Sequence, residues 1–295
     1  MKIGLIDVDN KNFPNLALMK ISAYHKKKGD HVEFANMFGE YDIIYKSKVF
    51  NFNPDDEYIY NSKKIIKGGT GYNNLKLELP KEIDLIYPDY DLYVCKSAYG
   101  FLTRGCVNKC EWCVVPEKEG NIRPYMDIQD FIGNFKSAVL MDNNVLSSDH
   151  GIKQIEKIID LKIKVDFNQG LDARLIDEPM AKLLSKVKWL KPLRLACDSQ
   201  GMKKPVEKAV NLLRKYNCTP KYYFVYALIK DIDESLERIL FLKNLDLVIY
   251  GQAYRDFKNK KDPDLLQIMM SRWTITRCIY NMTWEEFKNK NKIIG

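Results

Sequence analysis

The chain has 295 residues, of which 46% are hydrophobic, and it carries a formal net charge of +8. This length suits one large domain or two ordinary ones, and the apolar content excludes a largely disordered protein. The sequence shows no run of about 18 apolar residues and no charged segment leading into an apolar one. It therefore predicts a cytoplasmic protein that neither spans a membrane nor carries a secretory signal.

The first 90 residues predict a small Rossmann-like α/β unit, because strand and helix patterns alternate there. Gly29 is placed to end the helix, and residues 51–62 are polar and predict a loop. The run Gly68-Gly69-Thr70-Gly71 could cradle a phosphate, but it fits no nucleotide-binding motif and predicts a plain turn. The expected elements are strands at residues 2–7, 31–34 and 41–45 and a helix at 14–28.

Three cysteines, Cys106, Cys110 and Cys113, follow with the spacing C-x-x-x-C-x-x-C. Thiolates this close together can bind three irons of a cubic [4Fe–4S] cluster, whose protein ligands are cysteine thiolates. The fourth iron of the cube then stays open for a small ligand. An open iron indicates a catalytic arrangement more than a structural one.

Zinc and disulfide bonds are the alternatives for these cysteines. A structural zinc site needs four closed ligands, and no second C-x-x-C pair is present to complete one. The total of seven cysteines is odd and no secretory signal is visible, which favours reduced thiols. A fourth zinc ligand would have to come from a histidine or from one of four scattered cysteines: Cys95, Cys197, Cys218 and Cys278.

From residue 91 onward, strand and helix patterns alternate six times, which predicts a partial (β/α)6 barrel. The cysteine loop follows the first of these strands, and barrel chemistry lies at the carboxyl ends of strands. Strands are expected at residues 91–96, 138–142, 163–168, 192–197, 221–228 and 246–252. Helices are expected at 127–136, 152–160, 177–188 (capped by Asp177), 204–216, 232–243 and 263–281, with Thr283 opening a last short helix.

The cysteine loop resembles that of the radical S-adenosylmethionine superfamily. Trp112 before the third cysteine, Pro116 and Gly120 strengthen the resemblance, which covers about residues 91–255. It implies a partial barrel with a [4Fe–4S] cluster on the three cysteines, S-adenosylmethionine on the open iron, and reductive cleavage to a 5′-deoxyadenosyl radical. It also implies a low-potential electron donor of the flavodoxin or ferredoxin type. Trp112 is included among the residues expected to contact the cofactor.

The resemblance assigns further cofactor contacts at strand ends. Where the family often has Gly-Gly-Glu, this chain has Asp142, Asn143 and Asn144, whose oxygens can accept hydrogen bonds from the methionine ammonium group. A polar turn at the strand end is the alternative. Arg174 is expected either to bind the methionine carboxylate or to pair with Asp172 or an acidic residue on a helix face.

Later strand ends would contact the nucleoside. Asp198 and Ser199 are expected near the ribose, and Tyr226 near the adenine. Cys197 could donate hydrogen or ligate, although a free cysteine is usually a small buried apolar residue. The mouth of the barrel would be lined by Gln252, Tyr254 and Arg255.

The chain divides by this interpretation into three parts: residues 1–90, 91–255 and 256–295. The first part is similar to the cobalamin-binding-type domains that precede many such barrels, but the motif Asp-x-His-x-x-Gly is missing, which predicts a cobalamin-free domain. The last part predicts helices that either pack on the barrel or stack nucleic-acid bases. It holds a basic amphipathic stretch with Arg272, Trp273, Arg277, Tyr280 and Trp284.

The predicted function is a radical enzyme acting on an unidentified substrate. The net charge and the basic aromatic tail slightly favour a nucleic acid or nucleoside over a small metabolite. The alternative is a non-catalytic iron–sulfur or zinc protein with a binding or regulatory role, because the family's Gly-Gly-Glu position is not matched.

Overall fold

The computed structural model describes residues 1–9, 13–72, 74–218, 223–257, 259 and 261–291. Two compact units are present. The first comprises Met1–Gly100, Val114–Gly120 and Met126–Ser137, and the second comprises Phe101–Cys113, Asn121–Tyr125 and Ala138–Gly295. The division of the chain at residues 90 and 255 stays a prediction.

The first unit is a parallel sheet with the strand order β2-β1-β4-β6 and helices beside it. A separate parallel pair joins β3 to β5. The strands are β1 (Lys2–Asp7), β2 (His31–Phe34), β3 (Glu40–Tyr41), β4 (Ile43–Ser47), β5 (Asn61–Ser62), β6 (Ile65–Gly68) and β7 (Ala98–Gly100). The helices are α1 (Leu16–Lys27), α2 (Lys81–Asp84), α3 (Val115–Lys118) and α4 (Gln129–Ile132).

Apolar residues of β1 and α1 form the core of this unit. Ile3 and Leu5 pack against Leu18 and Ile21, all nearly inaccessible to solvent. The side chain of Asn15 caps α1 by accepting from the Leu18 N–H, as suits an asparagine at this position. Gly29 follows the end of α1 with φ +81°, so the predicted helix and its glycine stop are confirmed.

The second unit contains two groups of parallel strands: β13-β14-β15 form one sheet, and β12 pairs with β11, which lies beside β10. An isolated parallel bridge between Leu171 and Leu195 joins the groups. The strands are β8 (Thr103–Arg104), β9 (Arg123–Pro124), β10 (Ser137–Leu140), β11 (Lys164–Phe167), β12 (Lys188–Trp189), β13 (Arg194–Ala196), β14 (Phe224–Ile229) and β15 (Val248–Ala253). The helices are α5 (Asp149–Asp160), α6 (Glu178–Leu184), α7 (Lys203–Lys215), α8 (Ile232–Asn244), α9 (Leu265–Ile275) and α10 (Trp284–Lys290).

This mixed α/β architecture with parallel sheets agrees with the predicted fold class, while closure into a partial barrel stays a prediction. Helices α5, α7 and α8 and the two predicted caps are confirmed: Asp177 accepts from the Met180 N–H, and Thr283 forms a capping box with Glu286. The expected strand at 221–228 begins at Phe224, and residues 221–222 lie outside the described residues. None of the described helices is long and apolar enough to cross a bilayer.

Two expected elements near the cysteine loop are wrong. Residues 91–96 do not form a strand, because the backbone turns at Tyr90–Tyr93 and Val94 adopts φ +50°. The strands before the loop are β7 and the short β8 instead. The helix expected at 127–136 is reduced to α4, because Gly133 follows it with φ +50°.

Two other boundaries differ because local groups break the element. The strand expected at 41–45 is divided at Asp42, whose carboxylate accepts from the Lys2 N–H and the Lys63 ammonium. The helix expected at 263–281 ends at Ile275, since Arg277 adopts φ +61°.

Candidate active site around the cysteine loop

The cysteine loop is held at its start by stacking. β8 pairs with β9 in an antiparallel hairpin, and the Arg104 guanidinium lies 4.1 Å from the centroid of the Phe101 ring and 5.6 Å from that of Tyr125. Gly105 then adopts φ +83°, a conformation that glycine accepts without strain. These features fix the direction of the backbone at Cys106.

Asp142, directly beyond β10, fixes the same segment through its buried carboxylate. It accepts from the Leu102 N–H at 3.0 Å, the Thr103 N–H at 2.6 Å and the Thr103 hydroxyl at 2.7 Å. Burial raises its pKa to about 6, although these donors oppose the rise. Its other oxygen, Oδ2, also accepts from the Leu102 N–H at 3.2 Å, so both oxygens of Asp142 bind the segment that leads to the cysteine loop.

The Sγ of Cys106 accepts from two nitrogens. The backbone N–H of Asn108 lies 3.4 Å away and the Nδ2 of Asn144 lies 3.6 Å away. Both asparagine side chains also donate to Oδ2 of Asp172, at 3.0 Å and 3.2 Å. Cys106 and Asn144 are thus brought together by Asp172, although they are 38 residues apart.

The amide oxygen of Asn144 is unusual because it is buried and has no hydrogen-bond partner among the described residues. The contacts of Nδ2 with Cys106 and Asp172 fix the amide's orientation, so Oδ1 must point elsewhere. A buried acceptor without a donor costs about 1–3 kcal/mol. Such a cost is typical of a site that a ligand completes.

Arg174 forms a two-pronged pair with Asp172, through Nε at 2.8 Å and Nη2 at 2.7 Å. Burial alone would raise the pKa of Asp172, but the hydrogen bonds from Arg174 and Asn108 outweigh it and hold the pKa below its ordinary value. The pairing of Arg174 with Asp172, which was the predicted alternative to carboxylate binding, is therefore present. About 44% of its side chain remains exposed, so it can also meet a ligand.

The surroundings of Cys110 are acidic. Burial raises the pKa of this thiol, Arg174 opposes the rise, and the nearby Cys106, Asp198 and Asp172 add to it. Cys106, Cys110, Asp172, Arg174 and Asp198 therefore lie in one electrostatic neighbourhood. A cation or a positively charged ligand would lower the cost of negative charge there.

The donor set of the loop fits an iron–sulfur cluster. None of the three cysteines is in a disulfide and all are at least partly accessible, and N–H groups already point at Cys106, as they do at cluster sulfurs. Within the described ranges, no group of three or more His, Cys, Asp or Glu side chains is gathered tightly enough to hold a metal ion. The cluster remains a proposal.

The other expected contacts are placed less closely. Asp198 accepts from the Leu228 N–H at 3.1 Å, which ties the end of β13 to β14, and burial raises its pKa. Trp112, Asn143 and Ser199 are half-buried. Cys197 is inaccessible and burial raises its pKa to about 12, as expected of a small buried residue.

Tyr226 lies in a second cluster on the face of β13 and β14. Its hydroxyl donates to the carbonyl of Asn168 at 3.0 Å and accepts from Arg194 at 2.9 Å, while Arg194 pairs with Asp166 at 2.8 Å. This cluster borders a cavity of about 450 Å³. The cavity is lined by Pro192, Arg194, Phe224, Tyr226, Tyr250 and Gln252.

The two tryptophans of the aromatic tail are buried, so the expectation of base stacking is wrong for them and the alternative of packing is confirmed for them. Trp273 and Trp284 are 1% and 4% exposed, with their rings 5.7 Å apart. The Tyr280 hydroxyl donates to the Leu247 carbonyl. The rings of Trp273 and Trp284 therefore form core, whereas Tyr280 remains 41% exposed.

Sequence reasoning missed three residues of these clusters. Asn108 lies inside the loop itself, and Asp172 was considered only as a partner for Arg174. Arg194 carried no motif. The signal that could have found Asp172 is its position beyond a parallel strand, where polar residues of neighbouring strand ends converge.

Comparisons with known proteins add little. No family model and no curated protein matches the chain. Among solved structures, Streptococcus suis SuiB bound to S-adenosylmethionine matches with a TM-score of 0.43 and 14% identity, over 62% of this chain and 47% of SuiB. SuiB bound to the precursor peptide SuiA gives 0.42 and 16%, over 62% and 46%. The match spans about half of SuiB, and a likeness this weak supports no argument about function.

Proposed function

We propose that the chain is a radical S-adenosylmethionine enzyme with a [4Fe–4S] cluster on Cys106, Cys110 and Cys113. The cluster belongs to a partial barrel that follows a cobalamin-free domain along the sequence. The observation that carries the proposal is the buried, unpartnered Oδ1 of Asn144, a residue whose Nδ2 lies 3.6 Å from the Sγ of Cys106. When bound, such a cluster supplies one electron, taken from a flavodoxin- or ferredoxin-type donor, that cleaves S-adenosylmethionine to a radical able to abstract hydrogen from a substrate.

Asn144 holds the methionine ammonium group in this proposal. Its Nδ2 is engaged by Cys106 and Asp172, so its Oδ1 is the free acceptor, and an ammonium group carries three donors. Filling this acceptor removes the cost of the unpaired oxygen. Asn143, half-buried next to it, approaches the same group.

Arg174 holds the methionine carboxylate. Two of its five N–H donors are used by Asp172, which fixes the plane of the guanidinium and leaves the others for the ligand. Arg174 also offsets the negative charge of the neighbouring Cys106 and Cys110, which contribute to raising its pKa after the hydrogen bond with Asp172.

Asp142 keeps the loop in place, and the remaining expected residues complete the contacts. Asp142 acts on the backbone at residues 102 and 103, so it positions the loop and need not touch the cofactor itself. Preorganisation of this kind is what holds reacting groups at a fixed distance. The contacts proposed for the nucleoside are those of Trp112, Asp198, Ser199 and Tyr226.

Anaerobic reconstitution with iron and sulfide tests the proposal. The wild type should show cluster absorbance and form 5′-deoxyadenosine with dithionite and S-adenosylmethionine. Cys106→Ala should lose both, whereas Cys278→Ala, a matched cysteine outside the loop, should lose neither. Asn144→Leu should keep the cluster absorbance but weaken S-adenosylmethionine binding at least ~10-fold, from the loss of a hydrogen bond to a charged group.

A cluster that forms but gives neither 5′-deoxyadenosine nor a spectral change with S-adenosylmethionine would refute the proposed enzyme activity. The binding or regulatory protein would then be the better description. Zinc bound with higher affinity than the cluster would point the same way.

A further inference from the structure

One face of the second unit carries unpaired positive charge at the amino ends of its strands. Lys164 and Lys188 are register partners in the parallel pair β11–β12, so their side chains point to the same side. Like charges placed opposite each other on neighbouring strands are destabilising. Both lysines are exposed, and neither forms an ion pair with a described residue.

A third exposed lysine, Lys191, adds to this charge. Asp166 lies on the same face as Lys164, two residues further along β11, but its carboxylate is neutralised by Arg194 at 2.8 Å. Lys191 directly precedes Pro192, which lines the cavity of about 450 Å³, and its charge, after that of Arg194, opposes the rise that burial causes in the pKa of Asp166. The face therefore keeps the positive charge of its three lysines.

The cavity of about 450 Å³ is lined by Arg194, the partner of Asp166, and by Pro192, the residue that follows Lys191, and its floor is aromatic. The rings of Phe224 and Tyr250 are 5.5 Å apart and inclined by only 36°. The exposed side chain of Gln252 and the hydroxyl of Tyr250 form no hydrogen bond with any described residue. An amide offers both a donor and an acceptor, as the edge of a nucleobase does.

We infer that this face binds single-stranded nucleic acid, with phosphates on Lys164, Lys188 and Lys191 and one unstacked base in the cavity over Phe224 and Tyr250. Positive grooves with aromatic floors bind single strands in this way, because every base has a π face. An acidic peptide would satisfy the lysines but would leave the aromatic floor and the Gln252 amide unused. The inference names the substrate class of the proposed function. Binding of the strand does not depend on that function, but a reaction on the bound strand does.

The cavity and the proposed adenine contact adjoin, since Tyr226 belongs to both. A base held over Phe224 and Tyr250 would therefore lie beside the cofactor's nucleoside. This adjacency gives the bound strand a role as substrate and not merely as a surface ligand.

The test is fluorescence anisotropy with fluorescein-labelled ten-nucleotide RNA and DNA single strands. Three lysine–phosphate contacts predict that the logarithm of affinity falls with the logarithm of salt concentration with a slope of about −2. The double variant Lys164→Gln/Lys188→Gln should bind at least ~10-fold more weakly and reduce the slope by about 1.4. The matched control Lys27→Gln/Lys64→Gln, with the same charge change on exposed lysines of the first unit, should change neither.

The base cavity is tested with the ligand as well as the protein. An oligonucleotide with abasic sites should bind the wild type ~10-fold more weakly, and the intact strand should bind Tyr250→Leu ~10-fold more weakly, because base stacking on an aromatic ring stabilises the complex. Equal binding of abasic and intact strands would overturn the base cavity. Competition by polyglutamate as effective as that by RNA would overturn the nucleic-acid ligand in favour of an acidic peptide, and a preference between RNA and DNA identifies the source.

These outcomes are separable from failure of the proposed function. Binding is measured with Cys106→Ala as well as wild type, and it should be unchanged, since the face lies on β11 to β15 and not on the cysteine loop. Loss of 5′-deoxyadenosine formation with intact strand binding would refute the radical enzyme alone. No binding by either protein at low salt would refute this inference alone.

Discussion

The two units differ in what they leave unpaired. The first carries 16 basic and 18 acidic residues, whereas the second carries 31 and 21, so the excess positive charge of the chain belongs to the second. Among the described residues, the buried side-chain N and O atoms without a partner are all in the second unit: Asn144 Oδ1, Asp166 Oδ1 and Trp189 Nε1.

In the first unit, by contrast, two of the buried lysines pair with carboxylates, and a third, Lys48, lies 5.7 Å from the centroid of the Tyr72 ring. Lys20 meets Asp84 and Lys46 meets Asp55, at 3.2 and 3.1 Å. Unpaired buried groups cost stability, and proteins retain them where a ligand supplies the partner. The difference teaches that ligand binding is concentrated in the second unit, whereas the buried polar groups described in the first unit find hydrogen-bond partners within the protein.

The largest expected effect on stability is at Arg238, which is fully buried in the second unit. Its guanidinium donates to the carbonyls of Cys197 and Leu228 and pairs with Glu234. Arg238→Leu leaves these acceptors unpaired and should cost about 3–5 kcal/mol. All four tryptophans lie in the second unit, so urea unfolding followed by tryptophan fluorescence reports this loss directly.

Hydrogen exchange then tests the comparison itself. Arg238→Leu should speed exchange in β13 and β14 and leave β1 and β4 unchanged. Faster exchange in both units would mean that they unfold together, and the contrast between them would lose its energetic meaning.

A second effect, of about 3 kcal/mol, depends on pH and belongs to Asp142. Its pKa is about 6 in the fold because burial disfavours its charge, against an ordinary value of 3.8. Stability from the protonated carboxyl is fully present below pH 3.8 and is lost as pH rises through about 6. The unfolding free energy of the wild type minus that of Asp142→Asn should therefore decrease by about 3 kcal/mol from pH 3.8 to 7.5 in the fluorescence assay. A pH-independent difference would contradict the raised pKa.

A smaller loss, about 2 kcal/mol, is expected in the first unit for Gly69→Ala. Gly69 has φ +98°, and an added Cβ would lie 2.2 Å from the carbonyl oxygen of Lys48. The control is Gly29→Ala, where φ is +81° but nothing lies within 4 Å. Exchange of amides in β4 and β6 should rise more for Gly69→Ala than for the control. An equal rise would mean that φ alone matters there.

The smallest effect is expected where charge is exposed. Glu111 of the cysteine loop pairs with Lys230 at 2.7 Å, but the two side chains are 70% and 51% exposed. Glu111→Gln should change stability by less than about 0.5 kcal/mol. A larger loss in the tryptophan-monitored assay would show that this pair orders the loop.

The elements that sequence predicted well are those whose signals are local. The helix at 14–28, the caps at Asp177 and Thr283 and the strands β10, β11, β13, β14 and β15 all depend on periodicity or on side chains a few residues away. The absent strand at 91–96 and the shortened helices failed because positive φ at Val94, Gly133 and Arg277 is imposed by the folded chain.

The sequence by itself determined the three cysteines, their spacing and the alternation of strands and helices, because each is written in neighbouring residues. Only the tertiary structure decided that Asp172 gathers Asn108, Asn144 and Arg174, and that Lys164 faces Lys188. These contacts join residues far apart in the chain, and their geometry depends on strand register. A one-residue shift in register would turn each of these strand side chains to the other face of the sheet.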